Sequence, residues 1–468
     1  MRFHRTTTLA MAAVLSFGLL AACDSSDPEE PGASGDPTGA ATDEAVTIRV
    51  AGLLPTADDA AKQQLDERVA AFEEQYPNIT VEPEDYQWLN STFTTALAGG
   101  TLPNVFEIPL TDGKTLIQQG QLADIDSYVK ALPYGDDFNE KLLENGMDDS
   151  GTIFAVPAKS IYAVALHYNR NLFEQAGLDP DDPPTTWDEV RADAKKIHDE
   201  TGIAGYATMA LDASGGWQLA AGANSRGGVI EKNEGGKYIA TLTDPAIKAH
   251  LQFLQDLKKD GSLLARADLG WGEINAAFGG GELAMYTSGS DVYNALVEGN
   301  GVTADWGYGL TAIPTEDGGG ALAGGTLAAV TKDSTEAQKD AAVKWIDWWY
   351  LSKLQDKDQA IADASTRAGA NPPQAVGTPV LPIFSEELYK ENLEWIKDYI
   401  NVPLENMTGY TDVMFEQDLV PEAAVATQDL YNALFPVVQA VITDDNADID
   451  ALLSTANEVG QTAIDAAS

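Results

Sequence analysis

Between Val46 and Ile108 the hydrophobic pattern of the chain switches repeatedly between the period of a strand and the period of a helix. Val46-Thr47-Ile48-Arg49-Val50 alternates as a strand does. From Asp58 to Tyr76, Leu65, Val69, Phe72 and Tyr76 recur at helical spacing until Pro77 stops the run. Ile79 to Glu82 reads as a second strand, Ser91 to Ala98 as a helix ended by Gly99-Gly100, and Asn104 to Ile108 as a third strand. Parallel strands need a crossover, usually helical, so this βαβα order predicts an α/β lobe.

The alternation resumes downstream. Ile153-Val156, Tyr162-Tyr168, Tyr206-Met209, Leu283-Tyr286, Tyr308-Thr311 and Leu327-Thr331 read as strands set among helices. One helix opens at Trp187 with Thr186 as cap and Glu189 three residues on, a capping box. Another starts at Asp244-Pro245 and carries Ile247, Leu251, Leu254 and Leu257 to a stop at Gly261. A helix is expected from Thr335 to about Leu354, where Trp345, Trp348 and Trp349 are packing residues. Beyond it the chain is mostly helical, broken at Pro372-Pro373 and between Pro379 and Pro382.

The amino-terminal residues have a different character. Arg2 and Arg5 precede an apolar run from Leu9 to Leu20, the layout of a secretory signal segment and too short to span a membrane. Leu20-Ala21-Ala22-Cys23 matches the bacterial lipobox, so residues 1–22 are expected to be removed and Cys23 diacylated. Cys23 is the only cysteine, which excludes an internal disulfide and any multi-thiolate metal site. Asp24 to Ala45 holds almost nothing large and apolar, so residues 23–45 are expected to be a lipidated cysteine and a disordered tether reaching on the order of 25 Å. Acyl chains contribute about 0.8 kcal/mol per buried methylene, enough for stable anchoring when two or more are present.

With 28 basic against 73 acidic residues, the formal net charge is −45. Nucleic acid and anionic lipid would repel such a body, so neither is an expected partner; the charge reads as a solvated surface. No catalytic frame stands out. HExxH, G-x-S-x-G and CxxC are absent, and no histidine stands four residues from another. The glycine triplets at Gly279-Gly281 and Gly318-Gly320 lack the lysine of a phosphate cradle and read as turns. Acidic pairs such as Asp181-Asp182 are too common in this composition to mark catalysis, and a hydrolase using two such carboxylates stays open. No metal or cofactor site is expected.

Several stretches together resemble the extracellular solute-binding proteins of carbohydrate ABC importers, the family that includes the maltodextrin-binding proteins. They are Val69-Ala70-Ala71-Phe72-Glu73-Glu74-Gln75-Tyr76-Pro77-Asn78-Ile79, Leu97-Ala98-Gly99-Gly100-Thr101-Leu102-Pro103-Asn104-Val105-Phe106 and Ile153-Phe154-Ala155-Val156-Pro157. The last leads through Ala165-Leu166-His167-Tyr168-Asn169-Arg170-Asn171-Leu172-Phe173 to Pro184-Thr185-Thr186-Trp187-Asp188-Glu189. Ala276-Ala277-Phe278, Gly281-Glu282-Leu283-Ala284-Met285 and Gly324-Gly325 before Leu327-Ala328-Ala329-Val330 keep the family order.

The resemblance implies an α/β, two-lobed periplasmic-binding-protein-like fold of type II, with a hinge and a ligand cleft between the lobes. Residues 46–158 plus 313–365 would form one lobe and 159–312 plus 366–468 the other. It implies a non-catalytic lipoprotein on the outer face of the cytoplasmic membrane, expected to be a monomer. It would close on a sugar or oligosaccharide and deliver it to the transmembrane permease subunits of an importer. Ligand contacts would fall at Trp88, Glu107, Thr111 and Asp112 in the first lobe, and at Lys159 and Tyr162 at the first crossover. In the second lobe they would fall at Trp217, Trp271 and Asp291, with Gly325 and Arg367 at the later crossovers. Trp88 and Trp271 suit either core packing or a stacking platform. One departure is Met285-Tyr286-Thr287-Ser288-Gly289-Ser290-Asp291, where many relatives carry a tryptophan and this chain a carboxylate. That carboxylate could accept bonds from sugar hydroxyls or pair with a polyamine or other cationic solute.

Overall fold

Strand β1, Val46–Ala51, buries Ile48 and Val50, and the next ten strands of the computed structural model extend the sheet from it or lie beside it. The structure describes residues 45–53, 55, 59–88, 90–316 and 318–467. The expected signal segment, Cys23 and the tether up to residue 44 lie outside the described residues.

In chain order the other strands are β2 (Ile79–Glu84), β3 (Val105–Pro109), β4 (Ala155–Asn169), β5 (Ala204–Tyr206), β6 (Glu231–Glu234), β7 (Lys237–Ala240), β8 (Leu283–Gly289), β9 (Tyr308–Ala312), β10 (Ala321–Val330) and β11 (Leu419–Pro421). The main path runs β2-β1-β3-β10-β4-β8-β5, with β9 also on β4 and β11 on β10; β6 and β7 form a separate hairpin. Helices Asp59–Gln75 and Asn90–Gly99 make the crossovers β1 to β2 and β2 to β3, and β1 pairs parallel to both strands, as the sequence pattern predicts.

β4 joins two half-sheets. Its first half, Ala155 to Ala163, pairs antiparallel with β10, and its second half, Val164 to Asn169, pairs with β8 and β9. The sequence suggested two strands here, at 153–156 and 162–168; one continuous strand replaces them because Pro157 sits where β4 is still paired and does not end it. The β4–β10 register shifts on either side of Thr326, and Gly325 lies at φ 148° within that irregularity. β10 begins six residues before the expected Leu327, and β5 stops at Tyr206 instead of running to Met209.

The expected Thr186 cap forms a capping box on helix Trp187–Thr201, and Thr335, expected only as a helix start, forms a second one with Gln338 on helix Glu336–Ile346. Trp345 is fully buried and meets Phe72 edge-on with ring centroids 5.2 Å apart, while Trp187 is buried against His250 and Phe253. Between Asp347 and Leu351 that carboxy-terminal helix widens into a π turn, which the continuous pattern did not announce. Among the described residues no helix is long and apolar enough to cross a membrane.

Candidate functional site

The loops that leave β2 and β3 at the same edge of the sheet hold Trp88, Thr111 and Asp112. These three line one cavity of about 420 Å³ together with Glu422 and the segment from Ala424 to Asp429. The segment belongs to the far end of the chain. It arrives here because β11, just before it, pairs in parallel with the start of β10. Trp88 packs its ring against Phe93, 6.3 Å between centroids, and its indole N–H is buried without a partner.

The carboxylates here are far from ordinary. Burial pushes Asp112 up to about 6, with a hydrogen bond from Thr111 acting against it. Burial raises Glu422 to about 7; the Tyr431 hydroxyl, donating at 2.8 Å, opposes the shift, and the Asp112 charge adds to it. The Tyr162 phenol is raised first by burial and then by the Glu422 and Asp291 charges, against a hydrogen bond with Trp217. Tyr162 and Trp217 meet at 74°, centroids 6.1 Å apart. Asp291 is itself raised by burial. Gly289 stands where these groups converge: a Cβ there would lie 2.7 Å from Asp291 Oδ1 and 3.1 Å from Tyr162 Cγ. Charge thus couples Asp112 to Glu422, Glu422 to Tyr162 and Tyr162 to Asp291 in a row, of which Asp112 and Glu422 line the cavity while Tyr162, Trp217 and Asp291 lie outside its lining.

The 422–428 segment is held in place. Glu231, on β6, accepts from the backbone N–H of Ala424 at 2.9 Å and of Val425 at 3.2 Å. Ala426 takes a left-handed conformation, φ 52°, that a non-glycine residue adopts only under constraint.

The structure does not bring every expected residue to this row. Glu107 is buried within β3, where its Oε1 takes the Lys159 ammonium at 2.7 Å and the Tyr350 hydroxyl at 2.7 Å. Lys159 and Arg367 line a different cavity. Gly325 contributes its carbonyl to Leu110 N–H at 3.0 Å and so fixes the β3 end. Trp271 is 49% exposed at the start of helix Trp271–Gly279, beside the exposed Leu211 and outside the cavity lining, so it is not a core residue. His167 and His250 are buried; His167 Nδ1 lies 2.7 Å from the Tyr308 hydroxyl, and burial lowers the two rings to about 4 and about 3. They are core groups. Among the described residues no cluster of three or more histidine, cysteine, aspartate or glutamate side chains could hold a metal ion. Glu422, Tyr431 and Glu231 were not expected. A lone glutamate among 73 acidic residues carries no signal of its own.

Two half-sheets sharing a hinge strand, with a carboxylate-rich, tryptophan-flanked cavity at their edge, define a two-lobed solute-binding protein. Residues 67–375 match the bacterial extracellular solute-binding protein family, and the chain belongs to that family. The sn-glycerol-3-phosphate-binding periplasmic protein UgpB of Brucella melitensis is 29% identical over 212 residues, 44% of this chain and 47% of that protein. The chain spans less than half the length of such curated relatives. Among solved structures, the cyclic α-maltosyl-1,6-maltose binding protein of Arthrobacter globiformis superposes with a TM-score of 0.64 at 22% identity, covering 90% of this chain and 99% of that one. The sugar-binding protein MalE of Xanthomonas citri does so with a TM-score of 0.67 at 16% identity, covering 90% and 98%. At these identities the likeness establishes the fold.

Proposed function

We propose that this chain captures a sugar or oligosaccharide in the cavity between Trp88 and Glu422 and hands it, unchanged, to the permease subunits of an ABC importer. The observation that carries this reading is the composition of the cavity wall. A half-buried indole offers a flat apolar platform, and Thr111, Asp112, Gln428 and Glu422 offer acceptors and donors for a small polar solute. Carboxylates with raised pKa values accept bonds from hydroxyls when ionised and donate one when protonated, which suits a polyhydroxylated ligand. The names of the superposable proteins, binders of maltosyl sugars, mannitol and tagatose among them, support the same class. The lining of this cavity includes no lysine or arginine, so the glycerol phosphate named for UgpB finds no counter-charge there.

β4, shared by both half-sheets, is the natural axis for lobes made of residues 46–158 plus 313–365 and 159–312 plus 366–468. In this reading acylated Cys23 holds a monomer to the outer face of the cytoplasmic membrane. Cys23→Ser should release the protein into the medium, and persistence in the membrane fraction would remove the anchor.

A thermal-shift panel of mono- and oligosaccharides, with polyamines as controls, tests the ligand class. A ligand at a hundred times its Kd should add about 2.7 kcal/mol. A selective sugar recovered intact supports the proposal. A polyamine hit alone, favoured by the facing Asp112 and Glu422, would replace the sugar with a cation, and cleaved sugar would make the chain a hydrolase.

A further inference from the structure

A second cavity, about 600 Å³ and sharing no lining residue with the first, lies on the side of β3 toward which the Glu107 side chain points. Its wall carries four cations from separate elements: Arg68 on helix Asp59–Gln75, Lys159 on β4, Lys353 on helix Ser352–Gln355 and Arg367 on helix Lys357–Ala368. In a chain with 73 acidic and 28 basic residues this local reversal of charge is unexpected.

The pairing pattern sharpens it. Arg49, Arg170, Arg191, Arg226 and Arg266 each hold a carboxylate. Among the described residues the arginines without an ion pair are Arg68 and Arg367, and both face this cavity. Arg68 lies over the rings of Trp348 and Trp349, 5.7 and 5.4 Å from their centroids, and donates to the Trp348 carbonyl, while its Nε is buried without a partner. Lys159 is satisfied by Glu107. Lys353 makes no ion pair; burial lowers its pKa, Asp363 opposes that, and Arg367, Arg68 and Lys159 add to it. Two carboxylates also line the wall, but Glu67 accepts from Gln63 and Asp363 makes no ion pair with any of the four cations. Partly buried cations without partners cost stability that an incoming anion recovers. A guanidinium fixed by stacking is the group best shaped for a multidentate oxyanion.

We propose that this cavity binds a small oxyanion, a phosphate or the phosphate group of a phosphorylated sugar, between Arg68, Lys353 and Arg367, separately from the cavity at Trp88. The test uses the mature chain, titrated calorimetrically with inorganic phosphate and, separately, glucose 6-phosphate at constant ionic strength. Saturable binding that weakens at least tenfold in Arg367→Gln, disappears in Arg367→Gln/Lys353→Met and is unchanged in Asp112→Asn is expected. Lys353→Met removes an unpaired cation, so its melting temperature in phosphate-free buffer should hold or rise, which separates lost binding from lost folding. A response to inorganic phosphate identifies a free oxyanion as the ligand, and a response to the sugar phosphate alone identifies the phosphate group of an organic phosphate as the ligand of this second cavity. Absence of binding by both anions overturns the proposal, as does binding retained in the double variant. Because Asp112→Asn reports on the other cavity, failure here leaves the sugar reading standing.

Discussion

Glu422 illustrates how a single side chain links the stability of this protein to its site. Its pKa is raised to about 7, mainly by burial, so the folded state binds the proton more tightly than the unfolded chain does. The associated stability is complete below the unfolded value of a glutamate and disappears as pH rises through about 7. Glu422→Gln should therefore flatten the pH dependence of urea unfolding across that window and gain roughly 3 kcal/mol over the parent at pH 8, since the rise from 4.5 to about 7 is worth about 1.4 kcal/mol per pKa unit. An unchanged pH profile would show that Glu422 is not buried in solution. Asp112, raised to about 6, should behave the same way over a narrower range. Neither aspect was legible beforehand for the same reason in different degree: Asp112 could be placed at a strand end by pattern, whereas Glu422 acquires its neighbours only through the pairing of β11 with β10.

At the scale of elements, close backbone approach decides where site residues stand. Helix Asp212–Asn224 packs on helix Thr427–Thr443 so tightly that a Cβ at Gly216 would run into the Tyr431 carbonyl. Gly216→Ala should push Tyr431 and its hydrogen-bonded Glu422 outward, lowering stability by about 1–3 kcal/mol and weakening ligand binding in the same variant. Retained affinity with lost stability would uncouple that helix pair from the site. A Cβ at Gly324 would likewise collide with the Tyr162 hydroxyl, across the β4–β10 pairing. Glu231→Gln tests the clamp on the 424–425 backbone. It keeps one acceptor but loses the charge, and should raise the ligand Kd severalfold with little change in melting temperature. An unaltered Kd would mean that the segment holds its shape unaided.

Over the whole molecule the dominant quantity is a formal charge of −45. Self-repulsion of that size favours the expanded chain, and salt screens it over about 10 Å at 0.1 M. Raising sodium chloride from 10 to 150 mM should therefore increase the urea midpoint of the mature chain, and a midpoint that falls would mean that its ion pairs outweigh the repulsion. Those pairs are mostly exposed and worth little each, Lys195 with Asp199 and Lys390 with Glu386 among them.

The α/β class, the order of the first strands and helices, the Thr186 capping box and the family were legible in the sequence, because periodicity and capping are local properties carried by neighbouring residues. Trp345 could be assigned to the core for the same reason. Which carboxylates face one another could not, since Asp112 and Glu422 are joined by strand pairing over a separation that no local pattern spans. The continuity of β4, the diversion of Glu107 to Lys159 and Tyr350, and the gathering of Arg68 and Arg367 at one cavity were likewise decided by tertiary structure. Charge partners are chosen by the fold that surrounds them, and composition alone predicts only that carboxylates are plentiful.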